Sequence, residues 1–140
     1  SGTTNMQPFP AQRPVEGVGS VGTVTIILPT TTTLTVTVVN TGSGNKYYVD
    51  GVQQATLTLN EGSTYKFDQS AGTNGGHPLR LSITSDGTHS GGSEYTTGVT
   101  TNGIPGNAGA YTQIVVATGA PTLYYYCTIH SGMGGQANTP

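Results

Sequence analysis

Stretches in which every second residue is apolar recur along this chain, divided by Gly-rich turns, and that alternation constrains the fold more than any other feature. TVTIIL (23–28) and LTVTVV (34–39) come first. KYYVDG (46–51), ATLTLN (55–60), STYKFDQ (63–69), PLRLSIT (78–84), AYTQIVVA (110–117) and TLYYYCTI (122–129) follow. A period of two sends alternate side chains to opposite faces of a strand, so Val, Ile, Leu and Tyr line a core while Thr and Lys meet water. Most separators are too short to carry crossover helices, and strands so closely spaced belong to a sandwich or barrel. With 22 Gly, 8 Pro and 7% charged residues, the chain lacks the Ala, Leu, Glu and Lys of a helical bundle. Its 140 residues make one ordinary domain, and 8 Tyr with many β-branched residues at a net charge of −2 exclude intrinsic disorder. The class is all-β.

Residues 1–20 show no alternation and read as an extended arm or linker. Residues 21–45 read as an N-terminal β-hairpin over 22–40, its strands joined by PTTTT, and a flexible junction, TGSGN at 41–45. Residues 46–140 read as the main domain. The unpatterned stretch 85–109 is expected to be a functional loop or to hold a short irregular strand around Tyr95–Val99.

Several function classes fall away on composition. Arg13, Lys46, Lys66 and Arg80 are the only basic residues and are scattered singly, so no surface neutralises several phosphates and nucleic acid is not an expected partner. The longest apolar run is far short of the ~20 residues that cross a bilayer, so no membrane span is expected. Gly-x-Ser-x-Gly is absent and no acid pair stands out among six carboxylates, so the chain is not expected to be an enzyme. A nucleophilic pair of Cys127 and His130 is formally open but has no third group to orient the base. Cys127, the only cysteine, is an inert core residue, a free thiol or a metal ligand.

The C-terminal stretch LYYYCTIHSGMGG decides among these, because it sets a thiol, an imidazole and a thioether three residues apart, at Cys127, His130 and Met133. A tight loop after a strand can turn all three toward one point. Thiolate and imidazole donors with a weaker axial thioether suit copper, in sites that use one Cys and two His in a trigonal plane. One more imidazole is needed. His77, at the start of PLRLSIT, is favoured over His89, which lies among Ser, Thr and Gly.

Residues 125–134, Tyr-Tyr-Cys-Thr-Ile-His-Ser-Gly-Met-Gly, resemble the copper loop of the cupredoxins, with gaps more similar to the pseudoazurin branch than to plastocyanin. Asn74-Gly-Gly-His77 is similar to the family's upstream ligand segment, and the resemblance covers roughly residues 46–135. It extends to cupredoxin-like domains of marine phage and bacterial surface proteins. What it implies is a cupredoxin-like Greek-key β-sandwich, with the N-terminal hairpin added, holding one copper ion. His77, Cys127 and His130 would be its equatorial ligands and Met133 the axial one, in electron transfer or copper storage.

The chain departs from that family at two places. Pro78 stands where the family commonly has an Asn whose N–H reaches the Cys sulfur, and proline has no N–H to give. GGQANTP (134–140) is expected to be too short and too rich in Gly and Pro for a final strand, leaving an open sheet edge. The competing expectation is a structural or adhesive subunit of a filament or virion assembly, metal-free or with a structural metal, self-associating through residues 1–28. An extracellular, cell-surface or virion setting, or the periplasm, is expected from the Thr- and Ser-rich composition.

Overall fold

A computed structural model describes residues 22–23 and 28–140 and gives an all-β sandwich of two mixed sheets. The arm at 1–20 and most of TVTIIL lie outside the described residues. The strands are β1 (Thr31–Thr41), β2 (Gly44–Val49), β3 (Val52–Gln53), β4 (Leu57–Thr58), β5 (Thr64–Asp68), β6 (Leu79–Ser82), β7 (Val99–Asn102), β8 (Tyr111–Val115), β9 (Leu123–Cys127) and β10 (Gly135–Asn138). One sheet has six strands in the order β3-β2-β1-β5-β8-β7, the other four in the order β4-β10-β9-β6. The only helical pieces among the described residues are two 3-10 turns, Gly72–Asn74 and Gly87–Ser90, and no helix is long and apolar enough to cross a membrane.

Alternation places the core where the sequence puts it. Leu34, Val36 and Val38 of β1, Tyr47 and Val49 of β2, Tyr65 and Phe67 of β5 and Ile114 of β8 face Leu79, Leu81, Leu123, Tyr125 and Ala137 of the smaller sheet. Tyr125 sits between Tyr47 and Phe67, with ring centroids 6.3 and 6.0 Å away and tilted planes, an arrangement that aromatic pairs favour. Its hydroxyl donates to the Ala55 carbonyl at 2.7 Å, so the buried phenol is satisfied.

Three expectations need correction. The hairpin read over 22–40 has its first strand largely outside the described residues; within them β1 begins inside the Thr run read as a turn, and pairs antiparallel with β2, Val36 opposite Val49 and Thr41 opposite Gly44. TGSGN, expected as a flexible junction, is the tight turn of that hairpin, with Gly44 at φ +100. The boundary drawn at residue 46 therefore falls within β2. The Thr run is strand because Thr31–Thr35 pair in parallel with Thr64–Asp68, and β-branched threonines suit a strand with one wet face.

The third correction concerns GGQANTP. Its residues 135–138 are β10, which pairs antiparallel with β9, Leu123 opposite Ala137, and in parallel with β4, Ala137 opposite Leu57. A strand this short needs only Ala137 in the core, and the glycines before it let the chain run close to β9. The position expected to be an open edge is filled. The stretch 85–109 holds a 3-10 turn, a single bridge of Glu94 to Ser82, and β7 at its end, so the irregular strand lies a few residues later than expected.

Candidate metal centre

His77 is positioned by a strand that outlasts its neighbour. β1 runs to Thr41, but its parallel ladder with β5 ends at Thr35 and Asp68, leaving β1 backbone groups without a strand partner on that side. The loop after β5 supplies side chains instead. Asn74 Nδ2 donates to the Val36 carbonyl at 2.8 Å, and the Val38 N–H donates to Thr73 Oγ1 at 3.0 Å. Gln69 and Asn74, 1% and 0% exposed, make a buried polar bridge to the ligand. Gln69 Nε2 donates to Asn74 Oδ1 at 3.1 Å and to the His77 carbonyl at 2.8 Å, while its Oε1 accepts the Leu79 N–H at 2.9 Å. The Gln69 amide thus spans Pro78 and ties down the residues on both sides of it. The Tyr47 hydroxyl donates to the same His77 carbonyl at 2.6 Å.

Cys127 ends β9 opposite Leu79, one residue past Pro78, so strand pairing brings the two ligand segments together. The Thr128 N–H donates to the Pro78 carbonyl at 3.1 Å and extends that contact beyond the ladder. After Cys127 the chain turns back at Gly132, whose φ of +77 suits glycine. Side chains from three segments hold that peptide: Lys46 Nζ and Gln54 Nε2 donate to its carbonyl at 2.8 and 3.2 Å, and Asp86 Oδ1 accepts its N–H at 2.9 Å. The Met133 carbonyl accepts the Tyr47 N–H at 2.9 Å.

The result is a convergent donor set. The Cys127 sulfur lies 3.8 Å from His77 Nδ1 and 3.8 Å from His130 Nδ1, and the three ligand atoms are all within 4.8 Å of one another. With bonds of about 2.3 Å to sulfur and about 2.0 Å to imidazole nitrogen, a metal would hold sulfur and nitrogen about 3.5–3.7 Å apart, and two nitrogens about 3.3–3.5 Å apart, for tetrahedral to trigonal angles. The three side chains therefore fit one ion with small adjustments. Cys127 is fully buried, His77 partly so, and His130 is exposed with its ring 4.8 Å from that of His77. Burial, with the charge of His130 beside it, holds the His77 imidazole below its ordinary pKa, which favours the neutral, ligating form. Burial and then the adjacent Cys127 raise the Tyr47 hydroxyl above its ordinary value.

Of the residues singled out from sequence, His77, Cys127 and His130 are brought together. Met133 is buried and lines a surface cleft with His130 and Lys46. His89 is elsewhere: its Nε2 lies 2.7 Å from the Cys127 carbonyl and its ring meets Tyr126 edge-on, so it braces the end of β9 from outside the donor set. Tyr47, Gln69 and Asn74 carry the supporting bonds; Asn74 was marked in the sequence only as part of the segment Asn74-Gly-Gly-His77, and Tyr47 and Gln69 had no signal beyond lying in or after strands. The sequence matches no family model, and no curated protein is significantly similar to it. The donor geometry alone therefore supports a metal site.

Proposed function

We propose that this domain is a mononuclear copper-binding, cupredoxin-like module, non-enzymatic, that exchanges electrons through its bound ion. The observation that carries the reading is the Cys127 sulfur at 3.8 Å from two imidazole nitrogens, at the end of a rigid sandwich. One thiolate and two imidazoles form a donor set suited to copper, with the Met133 thioether as the weaker fourth donor. Bound copper supplies a one-electron couple. The chain's own part is to hold His77 through Gln69 and Tyr47, to keep Cys127 out of water, and to leave His130 exposed as the point of electron entry.

Titration with Cu(II) at neutral pH tests this. An intense thiolate-to-Cu(II) absorption in the orange-red region is expected, lost in Cys127→Ser, with reversible one-electron cycling of the loaded protein. Loading should stabilise the fold by about 2.7 kcal/mol at a free metal concentration a hundredfold above Kd. A colourless protein with an unchanged melting temperature would refute the reading.

A further inference from the structure

A half-open cleft of about 290 Å3 lies where the outer face of β9 and β10 meets the loops carrying Gln54 and Asp86. None of His77, Cys127, His130 and Met133 lines it. Its size falls at the lower edge of ligand sites, about 300–1,000 Å3, and suits one small molecule. Tyr124 points into it from the outer face, because its neighbours Leu123 and Tyr125 take the core side of β9. It stands opposite Gln136 on β10, so a phenol ring and an amide sit side by side. Among the described residues, the hydroxyls of Ser85 and Tyr124 and the second carboxylate oxygen of Asp86 make no hydrogen bond, and Gln136 spends only its Nε2, on Asn138 at 2.7 Å. Two free donors and two free acceptors therefore meet in one cleft. Its wall is also strained into place. Of the three non-glycine residues with positive φ among the described residues, Gln54 at +47 and Asp86 at +62 both line the cleft, and both hold the Gly132 peptide. Backbone strain of this kind collects at binding sites, where the surroundings must fix it.

We propose that this cleft binds a neutral saccharide unit, with Tyr124 as the apolar platform for the sugar ring and Ser85, Asp86 and Gln136 answering its hydroxyls. The site is a function separate from the copper reading and does not rest on it. A sugar ring offers C–H groups to an aromatic surface and carries hydroxyls that both donate and accept, which matches the mixture of free groups here. Asp86 is the only charged side chain lining the cleft, so an anion is repelled. A cation would use that carboxylate but would leave the Ser85 and Tyr124 donors facing a group with nothing to accept them.

The test uses the metal-free full chain, labelled with 15N, and four probes: the methyl glycosides of glucose, galactose, mannose and N-acetylglucosamine. At least one is expected to give saturable amide shifts confined to Ser85, Asp86, Gln136 and Gly132–Gly135, with a Kd of about 1 mM. Tyr124→Ala and Asp86→Asn should each weaken that binding about tenfold, at a melting temperature close to that of the wild type. Asn tolerates the left-handed backbone and can still accept the Gly132 N–H, so the second variant keeps the wall while removing the charge. Four glycosides without a saturable shift overturn the proposal, as do shifts centred elsewhere or binding that both variants retain in full. Methylguanidinium is the control: saturation of the same amides by this cation, and by none of the glycosides, assigns the cleft to a cation and overturns the saccharide. None of these outcomes bears on the Cu(II) titration, so the two readings stand or fall separately.

Discussion

Replacing Gln69 by Leu should be among the most damaging single changes in this protein, and its cost can be worked bond by bond. The amide makes three hydrogen bonds in a place 1% exposed. On its loss the His77 carbonyl keeps Tyr47, but the Leu79 N–H has no other acceptor and Asn74 Oδ1 loses its donor. Each buried group left unsatisfied costs about 1–3 kcal/mol, so the variant should lose about 2–6 kcal/mol. Leucine regains little, because the methylenes of Gln69 are already out of water. Against a domain stability of about 5–15 kcal/mol, that is a large fraction. Urea unfolding of the metal-free protein, followed by far-ultraviolet circular dichroism or tyrosine fluorescence since the chain has no Trp, should show the midpoint falling by at least about 0.7 M at a slope of about 1–3 kcal/mol/M. A fall of less than about 0.5 M at unchanged slope would refute the claim that this amide is the keystone of the His77 loop. Asn74→Leu added to Gln69→Leu should cost less than the sum of the two single changes, because they share a bond.

Gly134→Ala should prevent folding or cost at least about 3 kcal/mol, because its Cβ would overlap the Tyr125 carbonyl oxygen where β10 approaches β9; thermal melting measures it. Acidification should destabilise the metal-free protein: His77 is held below its ordinary pKa, so the unfolded chain takes up a proton as pH falls below about 6.5 while the folded chain resists. Above that value the contribution is flat, and His77→Gln should remove this share of the slope in melting temperature against pH. Deleting residues 1–40 removes all but the last residue of β1, a central strand of the six-stranded sheet, and should leave a chain without a cooperative unfolding transition; a folded monomer starting at Thr41 would contradict the topology.

What the sequence made legible followed from period and spacing. Alternation marks β5, β6, β8 and β9 nearly to the residue, and the three-residue steps from Cys127 to Met133 identify two donors that the structure brings beside His77. The failures share one cause, which is that pairing context overrides local composition. Thr31–Thr33 read as a turn because they are polar, yet a partner at Thr64–Lys66 makes them strand. Gly135–Asn138 read as too weak for a strand, yet two neighbours flank it. Gln69 and Asn74 are invisible to any hydrophobic pattern, because Asn74 answers a Val36 carbonyl left over where β5 ends before β1, and Gln69 answers backbone groups on both sides of Pro78.

The four-stranded sheet has a consequence for the order in which the molecule forms. β1 and β2 are joined by a tight turn and can zip locally, whereas Leu57 of β4 must wait for Ala137 of β10, which in turn needs β9. Closing such long loops costs entropy before any contact rewards it, so these pairings form late. Cys127 and Leu79 belong to that same sheet, so the donor atoms converge only when it closes. In refolding experiments, metal capture should then lag behind the appearance of β-structure, and act as a clock for the last step of folding instead of its trigger.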